Sequence, residues 1–561
     1  MSSFTAGAIP SISHRRSIVN LSQNIKTTLN AGTLVPFSIQ EVYPGDSMNV
    51  ESNSVIRVSS SWVTSPLDNP ILDEYWFFVP YRLVWDSWIE LMGENTKTKW
   101  DDVNEYTVPQ VNWPATALNG AGGIADYMGI PPITAGNKIP DVSVLPFRAF
   151  ALIWNQWFRD QNNQDVVDVK KDSVNEVFNN DDWSSANYLG KCPKINKVPD
   201  FFTSCLPAPQ KGDAVVIPLG DSAPVITGQD DPNFDPNSVP LRWSTVGTQT
   251  PPITETGVFP VWSNLDSTGR GGTRRDDLKN AKDFDADLNG LAPINLKADL
   301  TKATATTIND LRFAFSLQRL FEIDARGGTR YTEIIANHFG VKNPDSRLQR
   351  TEFLGGNRSP IVVNQVVQTS LGLEGNTPQG NIAGYSLSAS NSGYRKGFTE
   401  HGVVIGVMAI RQIHTYQQGI EKFWMRKKRL DFYDPVFKNI GEQPVMQSEI
   451  VAQSKTADPG KETITFGFNP AWEDLRCRVD RTSAEMRSSF PDGFDKWHFG
   501  DNFDVDNSPV LSGDFVAETG KNIDRCLAVS STLAHQFLLD IYVQNKASRD
   551  ISSYGVPGVV G

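Results

Sequence analysis

The sequence predicts a mainly β protein with long loops and a few short helices. Three observations carry this. Several segments alternate apolar and polar residues with the two-residue period of a half-buried strand. Others are short Val/Ile runs of the length of a buried strand. Helically spaced segments are few and do not alternate one-for-one with the strands, which disfavours a doubly wound parallel sheet.

The elements follow in order. The first forty residues hold Arg15, Arg16 and Lys26 and no acid before Glu41. Residues 1–30 read as a loosely held basic arm, able to reach a polyanion or a neighbouring subunit. Thr33–Val42 is β-rich with Pro36 inside it, the mark of an edge strand. Val55–Val63 sets Ile56, Val58 and Trp62 against Arg57, Ser59 and Ser61. Glu74–Val79 is an aromatic strand closing at Pro80, and Leu83–Met92 a short helix. Pro146–Arg159 is the clearest helix, with Pro at its start and Phe147, Phe150, Ala151, Trp154 and Trp157 on one stripe. Asn309–Asp324 and Arg330–Phe339 are two more, the latter stopped by Gly340. Ile361–Val367 and Val403–Ile410 suit buried strands. Thr463–Phe468 alternates, and Gln536–Val543 places Phe537, Leu539, Ile541 and Val543 on one face.

Lys211–Asn295 is different. It holds nine Gly and nine Pro, and its twelve acids against seven bases leave it at −5. It reads as a long irregular excursion at the surface. The chain divides by these signs into the arm (1–30), a first core part (31–210), an insertion (211–300) and a second core part (301–561).

Composition narrows the function. The 561 residues are 39% apolar and 21% charged, the balance of a folded protein. The net charge of −12 disfavours wrapping nucleic acid by an overall field, so any such contact is local. The four cysteines form no CxxC pair and suit buried thiols in a reducing cell. The longest apolar run, Gly402–Ile410, is far short of the ~20 residues of a membrane span. Met1–Asn20 carries His14-Arg15-Arg16 without an apolar stretch behind it, so a chain without a secretory signal, made in a cytoplasm, is expected.

No phosphate loop, HExxH or GxSxG motif occurs, and the six histidines are scattered, with none four residues from another. His401 and His414 therefore read as ordinary strand residues. Asp285, Asp287 and Asn289, followed by Gly290, match the opening of a calcium-binding loop. Position 12, which needs a bidentate Glu, is Leu296. A Gly-terminated turn is the other reading of this fragment, so no cofactor is expected beyond a weak calcium candidate.

Two basic clusters matter more. Lys422–Arg429 (KFWMRKKR) includes Lys422, Arg426, Lys427, Lys428 and Arg429 around Trp424. The second holds Arg476, Arg478, Arg481 and Arg487. Bases interleaved with aromatic rings suit single-stranded nucleic acid, where cations meet phosphates and rings stack on bases. A solvated or salt-bridged face is the alternative.

Five stretches resemble one family, the major capsid proteins of the gokushoviruses within the microviruses. They are NPILDEYWFFVPYRLVWDSWIELMGEN (69–95), EIDARGGTRYTEIIANHFGVKNPDSRLQRTEFLGG (322–356), residues 412–445 with YQQG, DFYDPVF and IGEQPV, residues 466–503 with FGFNPAW and KWHFGDNF, and FLLDIYVQNKASRDISSYGVPG (537–558). The likeness thins only between about 210 and 300. Tyr81 and Asp434 depart from the family's usual Asn and Trp.

The resemblance implies an eight-stranded antiparallel jelly roll of viral capsid type with long loop insertions. It implies sixty copies, through pentamers, in a small T=1 icosahedral shell around circular single-stranded DNA, assembled in the host cytoplasm and ending in the virion. An insertion projecting at the threefold axes would contact the host receptor, which could be a carbohydrate. Implied partners are an internal scaffolding protein, a DNA pilot protein and a small basic DNA-binding protein. On this reading Arg15, Arg16 and the basic clusters face the enclosed DNA. An all-β glycoside hydrolase, or a carbohydrate- or receptor-binding β-protein forming no shell, are the competing readings; no carboxylate pair in the sequence fixes the former.

Overall fold

The structure is a computed structural model. It describes residues 16–94, 106–114, 122–133, 137, 139–213, 215, 225–227, 243–245, 291–293, 296–298, 308–328, 330–342, 344–345, 348–369, 380, 382–453, 464–505 and 508–551. By internal contact the chain forms two units, Met1–Lys211 with Glu322–Gly561, and Gly212–Phe321. The first holds two large antiparallel sheets.

Ten strands build these sheets: β1 (Ser17–Asn20), β2 (Gln23–Leu29), β3 (Val35–Val42), β4 (Ser47–Val58), β5 (Ile71–Pro80), β6 (Glu352–Pro360), β7 (Val363–Val367), β8 (Ile382–Gly397), β9 (Gly402–Arg411) and β10 (Phe537–Arg549). One sheet runs β1-β10-β4-β8-β7, with β2 also on β10, and the other runs β6-β5-β9-β3. Setting β1 and β7 aside, the orders β2-β10-β4-β8 and β3-β9-β5-β6 are those of two interleaved Greek keys, a jelly roll. Ten strands therefore stand where eight are expected. β1 continues the edge that β2 begins, pairing residues 546–549 of β10 while β2 pairs 537–543.

This corrects the basic arm. Residues 17–29 belong to the sheet, because Ile25 and Leu29 turn inward against the core and Lys26 faces Asp540 across the strands. Pro36 does lie on an edge strand, where β3 shifts register against β9.

The sandwich core fills by alternation. In β10, Phe537, Leu539, Ile541 and Val543 are buried and the residues between them face out. β4 starts at Ser47, earlier than its clearest alternation, and buries every second residue. β9 is buried on both faces. Val404, Met408 and Ile410 enter the sandwich core, while Val403, Ile405, Val407 and Ala409 join a second core. That second core includes Phe147 and Phe150 of helix α1 (Leu145–Ile153). Gly406 interrupts the run because a Cβ there would lie 2.9 Å from both the Phe37 and Trp76 rings.

β8 carries the polar exceptions. Ser390 and Ser392 point into the sandwich and meet polar atoms of β5. Ser390 Oγ donates to Glu74 at 2.9 Å, Ser54 Oγ donates to the same carboxyl, and Trp76 Nε1 donates to Ser392 Oγ at 3.2 Å. Burial pushes the Glu74 carboxyl upward, against these serine contacts. On the opposite face of β5, fully buried Asp73 is held by both Arg358 and Arg411.

Three elements differ from expectation. β7 is an exposed edge, with Val366 and Val367 half exposed, because its Val-rich pattern pairs only with β8. α1 ends at Ile153 and Trp154–Phe158 widens into a π-helical turn before Arg159. Leu83–Met92 splits into a 3-10 turn at Tyr81–Leu83 and one helical turn at Trp88–Leu91. Helices α2 (Ile308–Gly327) and α3 (Tyr331–Phe339) match their expected positions, with Gly340 left-handed at φ 69° as the cap.

His414 is no strand residue. It lies just beyond β9, buried between Asp501 and Glu518, with each ring nitrogen 2.8 Å from a carboxylate oxygen. Lys197 Nζ stands 3.8 Å from Asp501, and Asn522 also donates to that carboxylate. Burial alone would lower the imidazole pKa, but hydrogen bonds donated to Asp501 and Glu518 raise it to about 9. An imidazole facing two carboxylates must donate from both nitrogens, so the group is an imidazolium. It ties three distant loops together.

Within the second unit, Val225–Thr227 pairs antiparallel with Leu296–Ala298, and Trp243–Thr245 with Leu291–Pro293. The two pairs are nested in sequence. Asp285, Asp287 and Asn289 lie outside the described residues, as does Arg15.

Candidate nucleic-acid interface

Both basic clusters sit in the long connection between β9 and β10. Tyr416 anchors the first wall of a groove there. Its amide donates to the Asp480 carbonyl at 2.9 Å, its hydroxyl donates to Asp200 at 2.6 Å, and its ring meets Phe202 edge-on at 4.7 Å. The chain then passes residue 449 so closely that a Cβ on Gly419 would lie 1.8 Å from the Glu449 carbonyl oxygen, which explains a glycine there. Residues 476–487 form the other wall. Ser488 N donates to Gln417 Oε1 at 2.7 Å and holds it in place.

Between the walls lies a groove of about 360 Å³. Lys422, Phe423 and Trp424 line it from one cluster, and Arg478, Arg481 and Arg487 from the other. Trp424 is 70% exposed, its ring 4.5 Å from that of Phe423. Such a ring, free on one face beside guanidinium groups, is a stacking platform for a base whose phosphates meet cations. Three carboxylates share the groove. Glu421 pairs with Arg481 at 3.3 Å, Asp474 pairs with Arg426, and burial pushes Glu449 up to about 6.

The expected residues separate into two sets. Arg426 is engaged inside the fold, pairing with Asp474 and lying 5.9 Å from the Trp472 ring. Arg476 pairs with Glu473 at 2.7 Å, and Lys422 reaches the Pro444 carbonyl at 3.3 Å. Lys427, Lys428, Arg429 and Arg478 are exposed. Of the cluster cations, Lys428, Arg429, Arg478 and Arg487 make no ion pair among the described residues. The salt-bridged alternative thus holds for Arg426, Arg476 and Arg481 but not for these four. Arg16 is exposed at the start of β1, against Gly45, and does not line the groove.

Sequence reasoning missed the apolar surface that follows the first cluster. Leu430, Phe432, Val436 and Ile440 are all at least half exposed. An uncovered patch of this kind marks an interaction surface. The only signal for it was an aromatic-rich loop, DFYDPVF, lacking a helical or strand period. Among the described residues no cluster of His, Cys, Asp or Glu could hold a metal ion, and no helix is long and apolar enough to cross a membrane.

Comparison with known proteins accords with this architecture. Residues 7–559 match the family described as Capsid protein (F protein). The chain is 38% identical to Capsid protein VP1 of Spiroplasma virus 4 over 97% of its length and 95% of that protein's. It is 36% identical to Capsid protein VP1 of Bdellovibrio phage phiMH2K, over 99% and 97% of the two chains. With Capsid protein VP1 of Chlamydia phage 1 the identity is 34%, over 98% and 97%. Likeness over whole chains displaces the glycoside hydrolase and the binding module that forms no shell. A jelly roll with uncovered apolar loops is what a self-assembling shell subunit requires. The chain therefore belongs to the phage F capsid protein family, in its gokushovirus branch, and is a structural protein of the virion rather than an enzyme.

Proposed function

We propose that the protein builds a T=1 shell of sixty copies, through pentamers, around circular single-stranded DNA, and that the Trp424 groove holds that DNA on the inner surface. The observation that carries this reading is convergence. Two basic clusters about fifty residues apart line one groove with an exposed tryptophan. A groove of cations and rings contacts phosphates and stacks bases without reading sequence. The few cluster cations without ion pairs among the described residues neutralise only a local stretch of backbone, so the net charge of −12 leaves most of the neutralisation to a small basic DNA-binding protein. A scaffolding protein and a DNA pilot protein complete the expected set of partners.

The 211–300 insertion would project from the shell and contact a host receptor, its strongly acidic and Gly/Pro-rich composition suiting an exposed loop. Asp285, Asp287 and Asn289 remain a weak calcium candidate within it.

Charge reversal tests the groove. Particles carrying Arg478→Glu with Arg487→Glu should assemble but package less DNA, read as the absorbance ratio at 260 and 280 nm of purified particles. Unchanged genome content in normally assembled particles would overturn the groove assignment. Particle mass and electron microscopy check the copy number. Deleting residues 220–285 should spare assembly and abolish adsorption, and normal adsorption would refute the receptor role.

A further inference from the structure

A second cleft, of about 710 Å³, opens on the outer face of the β6-β5-β9-β3 sheet. None of the Trp424 groove residues lines it. Its floor is aromatic. Phe77 and Tyr75 of β5 pack on Trp157 and Phe158, with centroids 5.3 and 5.6 Å apart, and Phe353 of β6 lies 5.6 Å from Phe77. Phe353 is 43% exposed, so one ring of this cluster is open to a ligand.

The wall above the rings is cationic. Arg330 Nη2 donates to the Arg159 carbonyl at 3.0 Å, and the charge of Arg330 is felt at the Arg159 guanidinium. Arg350, outside the lining of the cleft, lies 4.0 Å from the Trp157 ring. Glu333 pairs with Arg330 at 3.0 Å and Asp345 stands 3.7 Å from Arg350. Arg159 has no such partner. Nη1 donates to the Gln164 carbonyl at 2.8 Å, Nε is buried without a hydrogen bond, and the group makes no ion pair among the described residues. Its neighbour Asp160 is occupied, Oδ1 accepting from the amides of Asn162 and Asn163. Burial, then the charge of Arg330, hold the Arg159 guanidinium below its ordinary pKa. A half-buried guanidinium without an ion pair, with only the charges of Asp160 and Asp165 near it to oppose that of Arg330, is an arrangement that an anion relieves.

We infer that this cleft binds a nucleotide, its phosphate between Arg159 and Arg330 and its base against Phe353. The volume is within the ~300–1,000 Å³ of ordinary ligand sites. A planar base answers the open ring and a phosphate answers the unpaired guanidinium, which neither a neutral sugar nor an apolar molecule does. The same nucleotide chemistry has two sources, a free nucleotide or one unit of a DNA strand.

Calorimetric titration of the full chain tests this, with dTMP, inorganic phosphate, thymidine and (dT)8 as probes. The protein carries Arg478→Glu and Arg487→Glu, so that failure of the groove assignment cannot be mistaken for failure of this one. We expect dTMP to bind at least tenfold more tightly than phosphate or thymidine. Arg159→Gln should weaken dTMP at least tenfold, and Phe353→Leu should weaken dTMP while leaving phosphate unchanged. Tighter binding of (dT)8 than dTMP assigns the site to a strand, and the reverse order to a free nucleotide. Equal affinity for phosphate and dTMP, or no binding of dTMP, overturns the inference in the unaltered cleft, whatever the variants do to folding.

Discussion

Replacing His414 by Gln removes the cation from a buried cluster of known geometry, and its effect can be worked out. The imidazolium pairs with Asp501 and Glu518 at 2.8 Å each, and its pKa rises from 6.5 to about 9. A group whose pKa is higher folded than unfolded adds stability that is complete below the unfolded value. That stability fades as pH climbs through the folded value. At about 1.36 kcal/mol per pH unit, the interval from 6.5 to 9 sets a contribution of about 3 kcal/mol. About 2 kcal/mol of it remains at pH 7.4, and it is gone above about pH 9. The carboxylates' depressed pKa values report the same contacts and add nothing further. Glutamine leaves the two carboxylates with only Lys197 as a nearby cation, so the loss at neutral pH should reach the ~3–5 kcal/mol typical of a broken buried pair. Denaturant unfolding of the isolated chain at intervals from pH 6 to 10 measures both effects. The unaltered protein should lose stability steadily above pH 6.5, and His414→Gln should be less stable at pH 7 with a flat response up to pH 9. Equal slopes in the two proteins would refute the assignment of the alkaline loss to this imidazolium.

Three other perturbations probe the framework. Gly406→Ala should cost ~1–3 kcal/mol, because the added methyl meets Phe37 and Trp76 at 2.9 Å; an unchanged unfolding midpoint would show that the rings yield freely. Ile541→Ala should cost ~2–5 kcal/mol and Leu538→Ala, on the exposed face of the same strand, under ~1 kcal/mol, a contrast that denaturation of the unassembled chain reads directly. Glu74→Gln should leave stability at pH 7 equal or higher, since burial disfavours the charged carboxyl, and should reduce the loss of stability that a raised carboxyl pKa brings as pH climbs above the ordinary carboxylate range.

The sandwich was legible where side-chain period reports burial. β10 and β9 follow from their apolar patterns because water faces one side of the first and neither side of the second. β8 escaped for the opposite reason. Its inward positions are Ser390 and Ser392, whose burial depends on Glu74 and Trp76 of a strand more than three hundred residues earlier. Local sequence cannot disclose that partner. β2 was mistaken for a loose arm since charge, rather than its pairing with residues 537–543, dominated the reading. In the groove, the cation types were visible but their partners were not. Arg426 and Arg478 look alike in sequence, and only the approach of Asp474 separates the engaged guanidinium from the open one.

The topology explains why the candidate sites lie where they do. The first and last described strands share one sheet, with β1 and β2 both paired to β10, so the sandwich closes on strands far apart in sequence. The strands use little of the chain, and two long connections, β5 to β6 and β9 to β10, hold most of the rest. Both clefts are built mainly from those connections, packed on or beside a sheet that fixes their position. The apolar loop at 430–440 belongs to the second connection and lies uncovered in the single chain. A capsid subunit buries such surface on adjoining subunits, so this loop's exposure and the family's self-assembly are two sides of one requirement. The same logic makes Leu430→Asp with Val436→Asp informative: the fold should hold, because neither side chain is buried in the chain alone, while particle yield falls sharply. Normal yield would mean that the loop faces solvent in the shell, and the covering surface would have to be sought elsewhere.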